Sequence, residues 1–215
     1  MPFAGLSLCE CLFFLGHDPF TGRARVGRNL LDIGLSGAVL ADLLFHQRIT
    51  LDHGTVVLTG RYDIGEPVAD RALALVVGET DQHGARDWVE YLRELIFDSV
   101  VETLAVRQLV TPKEKRGMFK LTLSYQPTEL RIASEPRARV RSAMLGRTTC
   151  DLPTAVLAHL AWTIGLDDIC DPDLTRREAA DWIEQSRAKI VDPMAGVLSA
   201  VESAVAADVY GGNRG

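Results

Sequence analysis

The sequence predicts a mainly α-helical fold, a helical bundle decorated with two or more short β-hairpins. Three observations carry that prediction. Apolar residues recur at three- and four-residue spacing through most of the chain, the signature of helices with a buried stripe. Strict alternation of apolar and polar residues is confined to two short stretches. The 18 glycines and 9 prolines are scattered as punctuation, with no low-complexity linker and no internal repeat. A chain of 215 residues that is 47% hydrophobic and 24% charged has ordinary globular composition. A domain of this size buries roughly 70% of its unfolded surface. We therefore expect one domain over 1–215, with 210–215 as a frayed tail.

The elements follow in order. Leu6 to Leu15 reads as a buried amphipathic helix ending at the Gly16-His17-Asp18-Pro19 turn, with Glu10 breaking the apolar run that a targeting segment would need. A polar loop, Thr21 to Gly27, leads to a second helix carrying Leu30, Leu31, Ile33, Leu35, Val39, Leu40, Leu43 and Leu44. That helix is apolar nearly all round, which predicts a central position, with Gly34 and Gly37 permitting close helix contact. Arg48 to Leu51 alternates, Asp52-His53-Gly54 supplies turn chemistry and Val56-Val57-Leu58 resumes, which gives a first hairpin. Pro67 to Val77 forms a helix beginning after Glu66 and ending at Gly78.

Asp87 to Val110 reads as two helices or one broken helix, with Trp88, Val89, Leu92, Leu95, Ile96, Val100, Leu104 and Leu109 on the buried stripe. After Thr111-Pro112 comes a charged stretch. A second hairpin is then expected around Met118 to Tyr125, where Phe119, Leu121, Leu123 and Tyr125 alternate with polar residues. Beyond Pro136 helices return: Ala138 to Leu145, then Thr154 to Ile164 stopped by Gly165, then Thr175 to Ile190 with Thr175 and Glu178 placed as a capping box. An Ala-rich helix over Pro193 to Val209 closes the series.

Composition and motifs narrow the function. Leu6 to Leu15 lacks the basic lead and small-residue cleavage site of a signal peptide. No run approaches the roughly 20 apolar residues that span a bilayer, so a cytosolic location with at most peripheral membrane contact is expected. Cys9, Cys11, Cys150 and Cys170 form no paired framework. Cys9, Cys11 and His17 lack the second ligand pair that a zinc site would need, so no metal or other cofactor is expected. There is no phosphate-cradling glycine loop, no His-Glu-x-x-His and no serine nucleophile elbow, and Asp52-His53, Asp167-Asp168 and His159 stand isolated. A non-enzymatic role is expected.

Charge is unevenly distributed. From Arg107 to Arg147 ten basic residues face three acidic ones, so this segment holds +7 while the chain as a whole holds −6. Such polarity favours one face that attracts anions. Lys113, Lys115, Arg116 and Lys120 flank Met118 and Phe119, which joins cations to apolar side chains near a hairpin tip. The second function class is a winged-helix-like nucleic-acid-binding protein, since helix-then-hairpin occurs at Leu30 to Leu58 and again at Val100 to Tyr125. A recognition helix needs Arg, Lys, Asn or Gln facing the groove, and these helices offer mainly Arg107 and Gln108, so no nucleic acid is expected.

The order of motifs resembles the Golgi phosphoprotein 3 family. The resemblance is carried by Leu30 through Leu44, by Gln47-Arg48-Ile49-Thr50-Leu51, by Asp63-Ile64-Gly65-Glu66-Pro67 before Ala72-Leu73, and by Arg86-Asp87-Trp88-Val89. Val100 to Val110 ahead of the second hairpin, and Leu157-Ala158-His159-Leu160-Ala161 with Gly165-Leu166, add to it. It implies an all-α bundle decorated with hairpins, a peripheral adaptor that binds phosphatidylinositol 4-phosphate on a basic face, inserts a hydrophobic hairpin and retains glycosyltransferases. The partners so implied are an anionic membrane surface or phosphorylated lipid headgroup, and cytosolic tails of membrane proteins. The family's lipid pocket uses a tryptophan, the arginine of a Gly-Leu-Arg-Gly motif and two helical arginines. In this chain those positions hold Gly27, Ser36, Glu94 and Phe97. The bidentate fork of arginine has no equivalent in serine, glutamate or phenylalanine, so the pocket reads as degenerate. The general basic hairpin of Lys113, Lys115, Arg116, Met118, Phe119 and Lys120 remains as the lipid-facing candidate.

Overall fold

The computed structural model describes residues 5–116, 121–170 and 173–211. Helix α1 (Leu8–Leu15) starts at Ser7, whose hydroxyl accepts from the Glu10 N–H while the Glu10 carboxylate accepts from the Ser7 N–H. All eight residues of α1 are buried, which corrects the amphipathic expectation. Glu10 is buried with the rest of the helix, and both oxygens of its carboxylate accept from one nitrogen of the Arg107 guanidinium, at 2.5 and 2.6 Å. A buried charge paired in this way can sit inside a core that would otherwise reject it.

Helix α2 (Arg28–Phe45) is buried from Leu31 through Leu44 and packs against α1 and against most of the helices that follow. Its Asp42 carboxylate accepts the N–H groups of Leu8 (2.9 Å) and Cys9 (3.1 Å), capping the start of α1 from a different helix. The expected close approach occurs at both glycines. A Cβ on Gly34 would lie 3.0 Å from Ile164 and 3.1 Å from Leu12, and one on Gly37 would lie 2.2 Å from the Val201 side chain.

The remaining elements are β1 (Ile49–Asp52) and β2 (Thr55–Leu58), α3 (Pro67–Gly78), α4 (Ala85–Leu92), α5 (Ile96–Val106), β3 (Val110–Arg116) and β4 (Leu121–Pro127), α6 (Leu130–Met144), α7 (Leu152–Thr163), a 3-10 turn (Asp167–Ile169), α8 (Arg176–Arg187) and α9 (Met194–Gly211). His53 and Gly54 both have positive φ (47° and 84°), the geometry that a two-residue hairpin turn requires between β1 and β2. The Asp87 to Val110 region opens with two helices, and Leu95, at the break between them, is 48% exposed rather than part of the buried stripe. Pro67 stands in the first turn of α3, Asp151 accepts from the Thr154 N–H at 3.1 Å, and Thr175 with Glu178 forms the expected capping box.

Three expectations are corrected. The charged stretch after Val110 is itself a strand, with Val110 opposite Pro127 and Arg116 opposite Leu121. Pro112 fits because both strands of a two-stranded ribbon are edges. Met118, Phe119 and Lys120 lie outside the described residues. Helix α6 starts at Leu130 rather than Ala138 and carries Pro136 within it. Buried Ala133, Pro136, Val140 and Met144 share one face, and that packing outweighs the lost backbone hydrogen bond. The last helix continues through Tyr210 and Gly211, two residues assigned to the tail. Among the described residues one buried apolar cluster runs from Leu6 to Ala204 and draws on each α-helix named above, α8 through Ile183.

Candidate functional site

The four positions matched to the lipid pocket are not gathered around an opening. Gly27 is the N-cap of α2 and contributes no side chain, while Ser36 is fully buried and its hydroxyl donates to the Asp32 carbonyl at 2.9 Å. Phe97, on α5, is buried and lies under the Arg28 guanidinium, 3.5 Å from its carbon to the ring centroid. Glu94 is 79% exposed at its side chain, and its ion-pair neighbour at 4.0 Å is Arg93.

Arg28 is the cation that occupies this end of α2. Its Nε lies 2.8 and 2.9 Å from the two Asp32 oxygens, and a terminal nitrogen reaches Asp98 at 3.4 Å. Burial pushes the Asp32 carboxyl up to about 6 despite the Arg28 contact. Behind this pair stands an aromatic cluster of Phe13, His17, Phe97 and Tyr125, with His17 stacked 4.2 Å from Phe13. Burial lowers the His17 imidazole to about 4, against a raising hydrogen bond in which Nδ1 donates to the Phe13 carbonyl at 2.8 Å. Cys9 Sγ donates to the Leu35 carbonyl at 3.5 Å, so the sulfur and the imidazole are each engaged with backbone. A phosphate entering here would have to displace Asp32 from Arg28, and a filled aromatic core leaves no cradle behind it.

A family-level sequence model described as Golgi phosphoprotein 3 (GPP34) matches residues 8–207. The chain belongs to the Golgi phosphoprotein 3 family. No curated protein matched the chain in a sequence search. The helical bundle with two hairpins agrees with what the family resemblance implied, and no helix among the described residues is long and apolar enough to cross a membrane.

In this Golgi phosphoprotein 3 member, strands β3 and β4 leave the bundle after buried Val110. Thr111, Pro112, Lys113 and Glu114 are exposed, and Leu123, paired opposite Glu114, is 46% exposed. Lys113 donates to the Gln126 side chain, and among the described residues no carboxylate lies within ion-pair reach of it. Lys115 and Arg116 continue the same strand, while Met118, Phe119 and Lys120 follow in the sequence and lie outside the described residues. The hairpin is held at its base by the α1–α2 loop: the Tyr125 N–H donates to the Gly22 carbonyl at 2.8 Å, and the Gln126 amide donates to the Phe20 carbonyl at 2.9 Å. Arg107, at the end of α5, also donates to the Gly5 carbonyl at 2.8 Å, which fixes the approach to β3.

The helices offered for a winged-helix reading are unsuited to it. The buried span of α2 leaves no face for a nucleic-acid groove, and the exposed side chains of α5 include Asp98, Glu102 and Val106. Arg107 is committed to Glu10. Acidic residues on a would-be recognition helix repel the phosphate backbone that supplies most of the affinity.

Proposed function

We propose that this chain is a non-enzymatic peripheral adaptor that docks on anionic membrane surfaces through the β3–β4 hairpin. In this reading it has exchanged the selective phosphatidylinositol 4-phosphate pocket of its family for general attraction to negative lipid. The observation that carries it is the hairpin itself, a ribbon that exposes Lys113 and Leu123 and whose sequence holds four basic residues and one acidic residue, with Met118 and Phe119 between the cations. Cations beside apolar side chains suit the headgroup region of a bilayer. Each basic residue near such a surface contributes about 1 kcal/mol, so four give weak, salt-sensitive docking. The cargo in this reading is the cytosolic tails of membrane proteins. Co-sedimentation with phosphatidylcholine vesicles containing phosphatidylserine tests it. Binding is expected, declining with added salt and lost in a variant carrying Lys115→Glu with Phe119→Asp. Equal binding by that variant, or equal binding to vesicles with and without phosphatidylserine, would refute the hairpin as the docking element.

A further inference from the structure

We propose a second anion site, a groove between α6, the 3-10 turn and the α1–α2 loop that binds a phosphate monoester. The groove measures about 590 Å³ and is lined by Arg25, Arg137, Arg141 and Arg147, with Asp168 at its side and Phe20 at its rim. It shares no arginine with the Arg28 cluster, and the site does not rest on the hairpin reading.

Arg137 and Arg141 are oriented largely by backbone oxygens, which accept hydrogen bonds without cancelling charge. Arg137 donates to the carbonyls of Leu15 (3.5 Å) and Asp168, and Arg141 donates to the carbonyls of Asp168 (3.0 Å) and Ile169 (3.3 Å). Two carboxylates oppose them. Asp168 meets Arg25 and lies 3.3 Å from Arg137, and Asp18 lies 3.0 Å from Arg25. Arg147 is exposed, and among the described residues no carboxylate pairs with it. Four guanidinium groups against two carboxylates leave +2. Burial, together with the positive fields of Arg25 and Arg141, holds the Arg137 guanidinium below the ordinary arginine range even with Asp168 beside it.

The chemistry of the missing partner follows from that surplus. A phosphate monoester carries between −1.5 and −2 at neutral pH and presents three strong acceptor oxygens, which matches the charge and the planar donors. A phosphodiester brings one charge and two such oxygens, so it fits less well. Arg141 and Arg147 stand on the open side, and Phe20, 69% exposed, gives the rim an apolar edge. The monoester could arrive free or on a lipid, and the two sources have the same headgroup chemistry.

Isothermal titration calorimetry with glycerol 3-phosphate, and flotation with phosphatidylcholine vesicles containing phosphatidic acid or, at matched surface charge, phosphatidylserine, test the site together. Glycerol 3-phosphate is expected to bind, and Arg141→Gln and Arg147→Glu are each expected to weaken it about tenfold or more. Arg147→Glu changes an exposed side chain and so keeps the fold. A preference for phosphatidic acid over phosphatidylserine that both variants abolish assigns a lipid-borne monoester. Soluble binding without that preference assigns a free one. No heat with glycerol 3-phosphate and no vesicle preference, or unchanged affinity in both variants, would overturn the site. The Lys115→Glu, Phe119→Asp hairpin variant is expected to bind glycerol 3-phosphate as the unaltered chain does, so failure of hairpin docking is distinguishable from failure of the groove.

Discussion

His17 shows at the scale of one residue what burial does to chemistry. Read in sequence, it stood near Cys9 and Cys11 as a conceivable ligand. In the fold its ring is packed among Phe13, Phe97 and Tyr125 and is held neutral by the apolar surroundings. Because its folded value is about 4 and its unfolded value 6.5, the unfolded chain binds more protons between those limits. The contribution of His17 is therefore complete above pH 6.5 and is lost as pH falls toward 4, by about 3 kcal/mol in all. Asp32, raised to about 6, acts in the opposite sense, adding stability as pH falls below 6. Urea unfolding of the unaltered chain and of His17→Phe at several pH values between 7 and 4 isolates the histidine. The stability difference is expected to shift in favour of the variant on acidification, and a pH-independent difference would count against a buried neutral imidazole. The Arg28–Asp32 pair at four-residue spacing could have been read from sequence, since Arg28 and Asp32 share a helix face. The stacking on Phe97 could not, because it joins residues 69 positions apart.

At the scale of elements, the glycines of α2 were legible for the same reason that its central position was. An all-round apolar helix with Gly34 and Gly37 one turn apart on adjoining faces has to admit neighbours closely. Gly37→Ala places a methyl group 2.2 Å from Val201 Cγ2, a stiff β-branched side chain. Overpacking of that kind costs about 1–3 kcal/mol, against a gain of about 1 kcal/mol from helix propensity. A net loss in thermal or urea stability is expected, relieved when Val201→Ala is added; a double-mutant cycle that shows simple additivity would contradict direct contact. Caps were also legible, as with Thr175 and Glu178, because capping is local chemistry. Helix α6 was misread at Pro136, and β3 was missed in its charged run. In both cases contacts distant in sequence decide, through the apolar face of Ala133, Val140 and Met144 in one and the ladder to β4 in the other.

For the whole molecule, charge polarity was visible in sequence but its division was not. Arg107 is spent on Glu10 and Arg139 pairs with Asp151, while Arg137, Arg141 and Arg147 face the groove and Lys113 faces outward along the hairpin. A count along the chain assigns these arginines one sign, and only tertiary placement separates the neutralised from the available. The core is one continuous cluster, so Trp88, Trp162 and Trp182 on α4, α7 and α8 should report the same event. Tryptophan fluorescence and far-ultraviolet circular dichroism are expected to give coincident urea transitions, and separated midpoints would reveal independent subunits of folding. One small feature bears on how any load on the hairpin reaches this core. Gly22, at φ 67°, has the Tyr125–Gln126 backbone within 2.8 Å of where a Cβ would stand. Loop and ribbon thus lie flush, with no clearance for even one methyl group. A push on the ribbon is therefore passed straight into the segment that carries Phe20 and Arg25.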